Sequence, residues 1–345
     1  MKKRSILPVS FCLLFMLSLT AIPNADAQNA NIPETVAMVA PSTTSTSYAY
    51  AMAIADTITK KTGTNVSLQS LGEGLISSMR ALKDGRGDLL YTNTGQFYDA
   101  YFGVESMKKM GRVPVRTLFH IFYGGIGIIV DQRTGITKGE QLKGQKLYIN
   151  FTRSPVMTNK GRACLKAYGL DPDRDVTILT WSSTDEFIDG ILTKKAVGGY
   201  WALGGSKCQQ LESTLPKGCR ILPLPQDAKA MDIAHEADVS IIPGYVEEQP
   251  CVPEKTYVWC RTGTLGARAD ISDDLAYLVV KNCFENYENL KAAYRGFKYL
   301  SLEGALEPFI IPVHPGAIRY YKEKGIWTDK YDKLQAELLK KWKNE

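Results

Sequence analysis

The sequence predicts an α/β fold in which parallel strands alternate with helices and form two lobes. One unit recurs along the chain: a short apolar run, then a polar loop, then a helical pattern of apolar residues. This order favours parallel strands joined by helices, because antiparallel neighbours need only short hairpins. Hydrophobic residues make up 44% of the chain and charged residues 23%, the balance of a globular protein. The length of 345 residues exceeds the roughly 250 to 300 that one core serves, which favours two lobes.

The first 27 residues have the pattern of a secretory signal peptide. Residues 2–4 (KKR) are positively charged, residues 11–19 form an apolar segment, and residues 25–27 (ADA) fit the small-x-small pattern of a cleavage site. The apolar segment is shorter than the roughly 20 residues that span a bilayer, so an uncleaved anchor is the less favoured alternative. We therefore expect a periplasmic protein whose mature chain begins at Gln28.

Three strand–loop–helix units are expected in the first block of the mature chain. The strand at residues 36–40 is followed by the polar loop at 41–47 and by a helix at 48–61, which Ser47 would cap and Gly63 would end. Apolar residues three and four positions apart place one apolar stripe on this helix. The block continues with strands at residues 66–70 and 88–92 and with helices at residues 75–83 and from Gly95.

A second block repeats the pattern after the apolar run at residues 126–130. The chain becomes irregular after residues 221–224, and helices resume at 272–286, which we expect to pack back on the first lobe. The first lobe is therefore expected to comprise residues 28–126 and 258–345, and the second lobe residues 127–257. The second block has strands at residues 147–151, 176–181 and 197–203 and helices at 158–168 and 186–194, and a last helix is expected at residues 331–342.

The ligand is expected beyond the carboxyl ends of the strands, where ligands of open α/β sheets bind. Hydroxyl groups of the loop at residues 41–47 suit a carboxylate, a sulfonate or a phosphate, and a solvated loop without a ligand is the equal alternative. Arg153 could donate two hydrogen bonds to such an anion, or form a surface salt bridge instead. Aromatic residues near strand ends would wall the ligand, or lie in the core. The candidate ligand-binding residues are Ser42, Thr43, Thr44, Ser47, Tyr48, Gln69, Tyr91, Thr92, Asn93, Phe151, Arg153, Ser154, Thr158 and Trp201.

Export also changes how the cysteines are interpreted. Six of the seven cysteines remain in the mature chain, an even number in an oxidising compartment. Six cysteines allow fifteen connectivities, and closeness along the chain favours Cys208 with Cys219 and Cys251 with Cys260. Six buried free thiols are the alternative. No pair has CxxC spacing, so we expect neither a metal ion nor a cofactor.

Composition and motifs disfavour two other classes of protein. A net charge of +6 is too mild to indicate a nucleic-acid-binding surface, and it favours a small anionic partner. The sequence contains no GxSxG, GxxxxGKS/T or HExxH motif, so an enzyme is the less favoured alternative to a binding protein.

The C-terminal part of the chain carries a family resemblance. Residues 314–325 (HPGAIRYYKEKG) resemble the closing signature of the TAXI family, the substrate-binding proteins of tripartite ATP-independent periplasmic (TRAP) transporters. Weaker resemblances lie at residues 85–89 (GRGDL), 142–146 (LKGQK) and 282–286 (NCFEN). The resemblance implies a type II periplasmic binding protein, two hinged lobes that close on a small organic acid, and delivery to TRAP membrane subunits.

The chain departs from the family pattern where the ligand is expected. The first loop of the family is usually rich in glycine and followed by paired tyrosines and a proline, whereas here it is rich in serine and threonine and only Tyr48 matches. The loop after residues 147–151 reads FTRSP where the family commonly has glycine and serine. The resemblance therefore does not identify the ligand. A binding protein of an ATP-driven importer or of a sensor is the alternative to a TRAP component.

Overall fold

The structure is a computed structural model that describes residues 32–40, 43, 45–71, 75–152, 155–203 and 206–344. The expected signal peptide lies outside the described residues, as do four of the candidate ligand-binding residues: Ser42, Thr44, Arg153 and Ser154. Among the described residues, no helix combines the length and the apolar character needed to cross a membrane.

Ten strands form one open sheet in the described part of the chain, and eleven α-helices accompany them. The α/β class is thereby confirmed. The strands are β1 (Thr35–Ala40), β2 (Asn65–Ser70), β3 (Leu89–Asn93), β4 (Val115–Asp131), β5 (Lys146–Phe151), β6 (Thr177–Trp181), β7 (Gly198–Ala202), β8 (Cys219–Ile221), β9 (Ile242–Val246) and β10 (Thr256–Arg268). The helices are α1 (Thr46–Thr62), α2 (Leu75–Lys83), α3 (Thr94–Phe102), α4 (Pro155–Ala167), α5 (Thr184–Leu192), α6 (Ser206–Thr214), α7 (Ala228–Ala237), α8 (Asp273–Glu285), α9 (Tyr287–Ala293), α10 (Pro315–Glu323) and α11 (Asp329–Asn344).

The sheet contains both parallel and antiparallel pairs, in the order β2-β1-β3-β10-β4-β7-β5-β6, with β8 beside β4 and β9 beside β10. The pairs β1–β2, β1–β3, β5–β6 and β5–β7 are parallel, as the strand–helix rhythm predicts. The pairs that involve β4 or β10 are antiparallel, which that rhythm does not predict. The sheet is therefore mixed.

The two long strands β4 and β10 connect two groups of core side chains. The first core lies around α1, α3, α8 and α10, and its residues nearest the second core are Ile121 on β4 and Leu265 on β10. The second core lies around α4 to α7, and its residues nearest the first core are Ile126 on β4 and Cys260 on β10. Both strands therefore pass from one core to the other within a few residues. The lobe boundaries expected from the sequence remain a prediction.

Helix α1 illustrates how local sequence sets an element. Its N-cap is Ser45, whose side chain accepts a hydrogen bond from the backbone N–H of Tyr48 at 3.1 Å, so the expectation of Ser47 as the cap was wrong by two residues. The helix ends at Gly63, whose φ of 76° is the left-handed conformation that glycine adopts without strain. The buried face of α1, which includes Ile54 and Ile58, covers β1 and β3.

The C-terminal helix α11 packs against the first core, as the sequence predicts for a helix lying on the lobes. The Tyr101 hydroxyl donates a hydrogen bond to the Leu338 carbonyl at 3.1 Å, and the Arg112 guanidinium donates to the Trp342 carbonyl at 2.9 Å. The Tyr101 and Trp342 rings lie 4.6 Å apart. These contacts attach the end of the chain to α3.

Candidate functional site

β4 has a β-bulge opposite Arg261, at the point where β10 passes from the first core to the second. Cys260 pairs with Gly125 and Thr262 with Phe122, so two residues of β4, 123 and 124, oppose the single residue Arg261 of β10. Bulges are common beside functional sites. The Arg261 side chain is partly buried, and burial raises the pKa of Tyr200 while the nearby Arg261 charge acts in the opposite direction. The guanidinium therefore lies near Tyr200 of the second core, at the level where β10 changes cores.

The N-terminus of α3 lies one strand away from Arg261. Asn93 is the N-cap, and its side-chain oxygen accepts the backbone N–H of Gly95 at 3.0 Å. Asn93 is also the register partner of Gly263 on β10, two residues from Arg261. The first turn of a helix presents backbone N–H groups and a partial positive charge, which favour an anion.

A buried chain of hydroxyl groups fixes α3 to the long strands. The Thr94 and Thr262 hydroxyl oxygens are 2.7 Å apart, and the Thr264 hydroxyl donates to that of Thr94 at 2.9 Å. The imidazole Nδ1 of His120 lies 2.8 Å from the Thr264 hydroxyl. Because the chain joins α3, β4 and β10 through buried polar atoms, it holds the α3 N-terminus in a defined position.

The second core contributes a buried ion pair to the same region. The Lys160 ammonium on α4 lies 2.5 Å from the Asp238 carboxylate after α7, and their side chains are 7% and 12% exposed. Ser240 donates its backbone N–H and its hydroxyl to the other Asp238 oxygen, at 2.9 and 2.6 Å. Burial tends to raise the pKa of the Asp238 carboxyl, but Lys160 and Ser240 outweigh burial and hold the pKa below its ordinary value.

The carboxylate of Asp238, which belongs to the second core, lies close to the N-terminus of α3. A Cβ atom on Gly95 would lie 2.9 Å from the Asp238 Oδ1 atom and 3.2 Å from the Ser240 hydroxyl oxygen. Gly95 therefore allows a close approach that a larger residue would oppose. The contact brings a carboxylate of the second core to the helix end that favours anions.

These groups together form the candidate site. Arg261 and Lys160 bring positive charges to the site, and Asp238 brings a negative charge. The Asn93 amide and the Ser240 hydroxyl add polar groups. Such an arrangement can bind an anion by charge-assisted hydrogen bonds.

Of the residues that the sequence singles out on β3, only Asn93 lies at this site. Tyr91 is 1% exposed and stacks on Tyr50 with ring centroids 4.6 Å apart, so it belongs to the first core. Thr92 is 2% exposed and its hydroxyl donates to the Gln96 side chain. Their roles in ligand binding remain predictions.

The candidates of the second core take part in packing. Phe151 stacks on Trp181 at 4.2 Å, and Trp201 lies 4.6 Å from the Phe187 ring. The Thr158 hydroxyl accepts the backbone N–H of Phe151 at 2.9 Å. The roles of these residues in ligand binding remain predictions.

The remaining described candidates lie around the start of α1 and the end of β2. Thr43 and Gln69 are exposed, and Ser47 and Tyr48 are partly buried on the first turn of α1. The carboxyl ends of β1 and β2 lie at the same edge of the sheet as that of β3, because the three strands are parallel. The roles of these residues in ligand binding remain predictions.

The two disulfides expected from the sequence are not formed. All six cysteines of the described chain are free and buried. Cys251 has Cys208 and Cys219 as its neighbours, whereas Cys260 lies on β10 near Gly244 of β9. Closeness along the chain was misleading, because folding brings cysteines together from separate segments.

Sequence reasoning missed three residues of the candidate site: Arg261, Lys160 and Asp238. One feature of the sequence could have indicated Arg261: it is the only charged residue between Lys255 and Arg268, in a segment that otherwise consists of uncharged residues. Lys160 and Asp238 carry no local signal, because their pairing depends on the packing of α4 against the end of α7.

A pocket of about 210 Å³ lies elsewhere, on the outer side of the second core. It is bounded by α4 and α7, and its lining includes Asn159, Arg162, Lys166 and Glu236. The Arg162 guanidinium is already hydrogen-bonded to Asp173 at 2.5 Å.

Several solved structures are similar to the chain at low identity. The periplasmic aliphatic sulphonate binding protein SsuA from Escherichia coli is 14% identical with a TM-score of 0.43, over 84% of this chain and 83% of that chain. PhnD1 from Prochlorococcus marinus, in complex with methylphosphonate, is 9% identical with a TM-score of 0.43, over 77% and 90%. A TRAP periplasmic solute binding protein from Rhodobacter sphaeroides is 9% identical with a TM-score of 0.44, over 89% and 91%.

A family model covers most of the sequence. The model of the NMT1-like family matches residues 38–325, a range that begins within β1 and includes both long strands and α10. The chain therefore belongs to the NMT1-like family.

Proposed function

We propose that this protein is a periplasmic solute-binding protein that captures a small organic anion, a carboxylate or a sulfonate, between the first and the second core. The observation that supports this most directly is the position of Arg261 opposite a β-bulge of β4 and beside the N-terminus of α3. A guanidinium can donate two parallel hydrogen bonds to a planar or tetrahedral anion.

The ligand would use groups from both cores. Arg261 and the α3 N-terminus would hold the anionic end, and Lys160 would add positive charge from α4. The Asp238 carboxylate, which lies in front of Gly95, would repel a second negative charge and so limit the charge that the site accepts. A ligand with one anionic end and an uncharged remainder is the expected class.

Closure of the two cores on the ligand is the proposed mechanism. The long strands change cores at the bulge of β4 opposite Arg261, which includes Gly124, whose φ of 133° is a conformation that other residues rarely adopt. This irregular pairing would allow both strands to bend at one level. Because a ligand shifts a conformational equilibrium only through its differential affinity, the groups that bind it must come from both sides of this level.

Delivery to the membrane subunits of a TRAP transporter is the proposed physiological role. It is supported by the resemblance of residues 314–325 to the TAXI family and by the signal-peptide pattern of residues 1–27. Arg153 and the loop at residues 41–47 remain predicted contributors to the site.

A thermal-shift screen tests the binding role. The mature chain would be heated in the presence of small monocarboxylates, dicarboxylates, sulfonates and matched amines. We expect at least one anion to raise the melting temperature in a concentration-dependent way, because binding to the native state stabilises it by mass action. Stabilisation by the amines alone would contradict the proposal.

Transport into vesicles tests the proposed delivery. Vesicles that contain TRAP membrane subunits of the same organism should take up the identified anion only with the binding protein and an ion gradient. Uptake that requires ATP instead would assign the protein to an ATP-driven importer.

A further inference from the structure

Three cysteines and a glutamate converge inside the second core. Cys208 and Glu212 are four residues apart and lie on one face of α6. Cys219 begins β8, and Cys251 lies in the turn that Gln249 and Val252 close by two backbone hydrogen bonds. The three cysteines are at most 2% exposed. Segments far apart in sequence therefore meet at one buried point.

The donor atoms of this cluster are close to one another. One carboxylate oxygen of Glu212 and the Sγ atoms of Cys219 and Cys251 all lie within 4.8 Å of one another. The Cys251 thiol also donates to the backbone carbonyl of Cys208 at 3.5 Å, and the Cys219 thiol donates to a Glu212 carboxylate oxygen at 3.3 Å. Soft sulfur ligands with one carboxylate, at distances that a single ion can bridge, are a set that thiophilic metal ions prefer.

The surroundings hold these ligands in position. Glu212 accepts the backbone N–H groups of Cys219 and Cys251, both at 3.1 Å, which orients its carboxylate toward the two sulfurs. The Trp201 indole N–H donates to the Cys208 Sγ atom at 3.2 Å. Hydrogen bonds to ligand atoms are the usual second layer of a metal site. Cys251 also has a φ of 67°, an uncommon conformation for a residue with a side chain.

We propose that Cys208, Cys219, Cys251 and Glu212 form a binding site for a thiophilic divalent metal ion, with Zn²⁺ as the ion to test. On binding, metal–sulfur bonds form and each thiol that joins the ion releases its proton to solvent. The ion would join α6, β8 and the turn at residues 249–252. A disulfide would use only two of the three sulfurs and would give the carboxylate no ligand role.

Refolding with and without zinc tests the site on the full mature chain. The protein would be unfolded with a thiol reductant, refolded with or without Zn²⁺, freed of excess metal and analysed for bound zinc. We expect one zinc ion per chain and a higher melting temperature for the zinc-refolded protein. Refolded protein that retains no stoichiometric zinc would overturn the proposal.

Matched variants locate the ion. The double variant Cys219→Ser and Cys251→Ser should lose the bound zinc, while Cys283→Ser, a buried free thiol of the first core, should retain it. Equal retention by both would overturn the proposal. If the double variant does not fold, Cd²⁺ can replace Zn²⁺ in the unaltered protein, and cadmium–thiolate absorption in the ultraviolet should indicate three thiolates per ion. Absorption that indicates one thiolate or none would overturn it.

Intact-mass analysis distinguishes the ion from a disulfide. The protein purified from the periplasm without reductant should have the mass of six thiols after the metal is removed. A mass lower by two hydrogens, with a cross-link mapped between two of Cys208, Cys219 and Cys251, would overturn the proposal in favour of a disulfide.

Discussion

The Lys160 ammonium and the Asp238 carboxylate form an ion pair of 2.5 Å in which neither side chain is more than 12% exposed. Removing one partner of such a pair leaves an unpaired charge in a low-dielectric environment, which costs far more than the pair itself contributes. Replacing Lys160 therefore tests whether the Lys160–Asp238 pair at the candidate site is buried.

Replacing Lys160 with methionine should lower the free energy of unfolding by about 3 to 5 kcal/mol, because Asp238 would stay buried without its partner. Urea denaturation at pH 7 measures the change. The control is Lys60→Met, which removes the exposed partner of Asp56 on α1 and should cost no more than about 1 kcal/mol. Equal losses in both variants would contradict the buried character of the Lys160–Asp238 pair.

The contribution of the Lys160–Asp238 pair to the free energy of unfolding should decrease as the pH falls. The folded pKa of Asp238 lies below its ordinary value, so its stabilising contribution is present above the unfolded pKa of about 3.9 and is lost as the pH falls through the folded pKa. In Lys160→Met, the unpaired buried carboxyl of Asp238 should have a raised pKa, so its penalty decreases as it takes up a proton above the unfolded pKa of about 3.9. The difference in unfolding free energy between the wild-type protein and Lys160→Met should therefore narrow as the pH falls from 7 to about 4. A difference that widens on acidification would contradict this account.

The buried histidines should make the protein less stable in mild acid. Burial lowers the pKa of His120 to about 3 and that of His314 to about 4. Because the unfolded chain takes up these protons near pH 6.5, each histidine should reduce the free energy of unfolding by up to about 1.4 kcal/mol per pH unit below that value.

A His120→Asn variant isolates one of the two contributions. Its amide can still bond the Thr264 hydroxyl, which lies 2.8 Å from the imidazole Nδ1 atom, but it does not titrate. Between pH 6.5 and 5, the slope of unfolding free energy against pH should fall to roughly half of the wild-type slope. An unchanged slope would show that His120 is already protonated or exposed.

Replacing Asn93 with alanine should affect both stability and ligand affinity. Loss of the cap of α3 should cost about 1 kcal/mol of unfolding free energy. The anion should also bind more weakly, because the α3 N-terminus that would hold it is disturbed. Ser272→Ala removes the cap of α8, where the Ser272 hydroxyl oxygen accepts the Leu275 N–H at 3.2 Å. This control should show a similar loss of stability with unchanged affinity, and a matching loss of affinity would contradict a local role for Asn93.

Tyr91 should behave as a core residue. It is 1% exposed and stacks on Tyr50, so Tyr91→Ala should lower the free energy of unfolding by about 3 to 5 kcal/mol. Tyr245, which is 53% exposed, is the matched control, and its alanine variant should lose less than about 1 kcal/mol. Similar values for the two variants, measured by urea denaturation, would contradict the burial of Tyr91.

The elements that the sequence predicts well are those formed by local patterns. Helix α2 begins and ends at the predicted residues, and β1, β2 and β5 differ from their predicted ranges by one residue at the start. Apolar periodicity and capping residues act over one or two turns, so they are readable without knowledge of the partner elements.

The mixed sheet and the candidate site depend on contacts that no local pattern reveals. The antiparallel pairing of β4 with β10 joins segments more than 130 positions apart, from Ile126 with Trp259 to Val115 with Arg268. The bulge of β4 opposite Arg261 is a property of that pairing, and the Lys160–Asp238 pair is a property of helix packing. Asn93 was recognised because it follows a predicted strand, whereas Tyr91, two residues earlier, is buried in the first core.

The central claim is that an organic anion binds at Arg261, and calorimetric titration of Arg261→Gln with the anion from the thermal-shift screen tests it most directly. Loss of charge-assisted hydrogen bonds should weaken binding by roughly 10- to 100-fold. The control is Arg220→Gln, an arginine of β8 whose side chain is 21% exposed and pairs with Glu254, and its affinity should equal that of the wild-type protein. Wild-type affinity in a folded Arg261→Gln protein would contradict the claim.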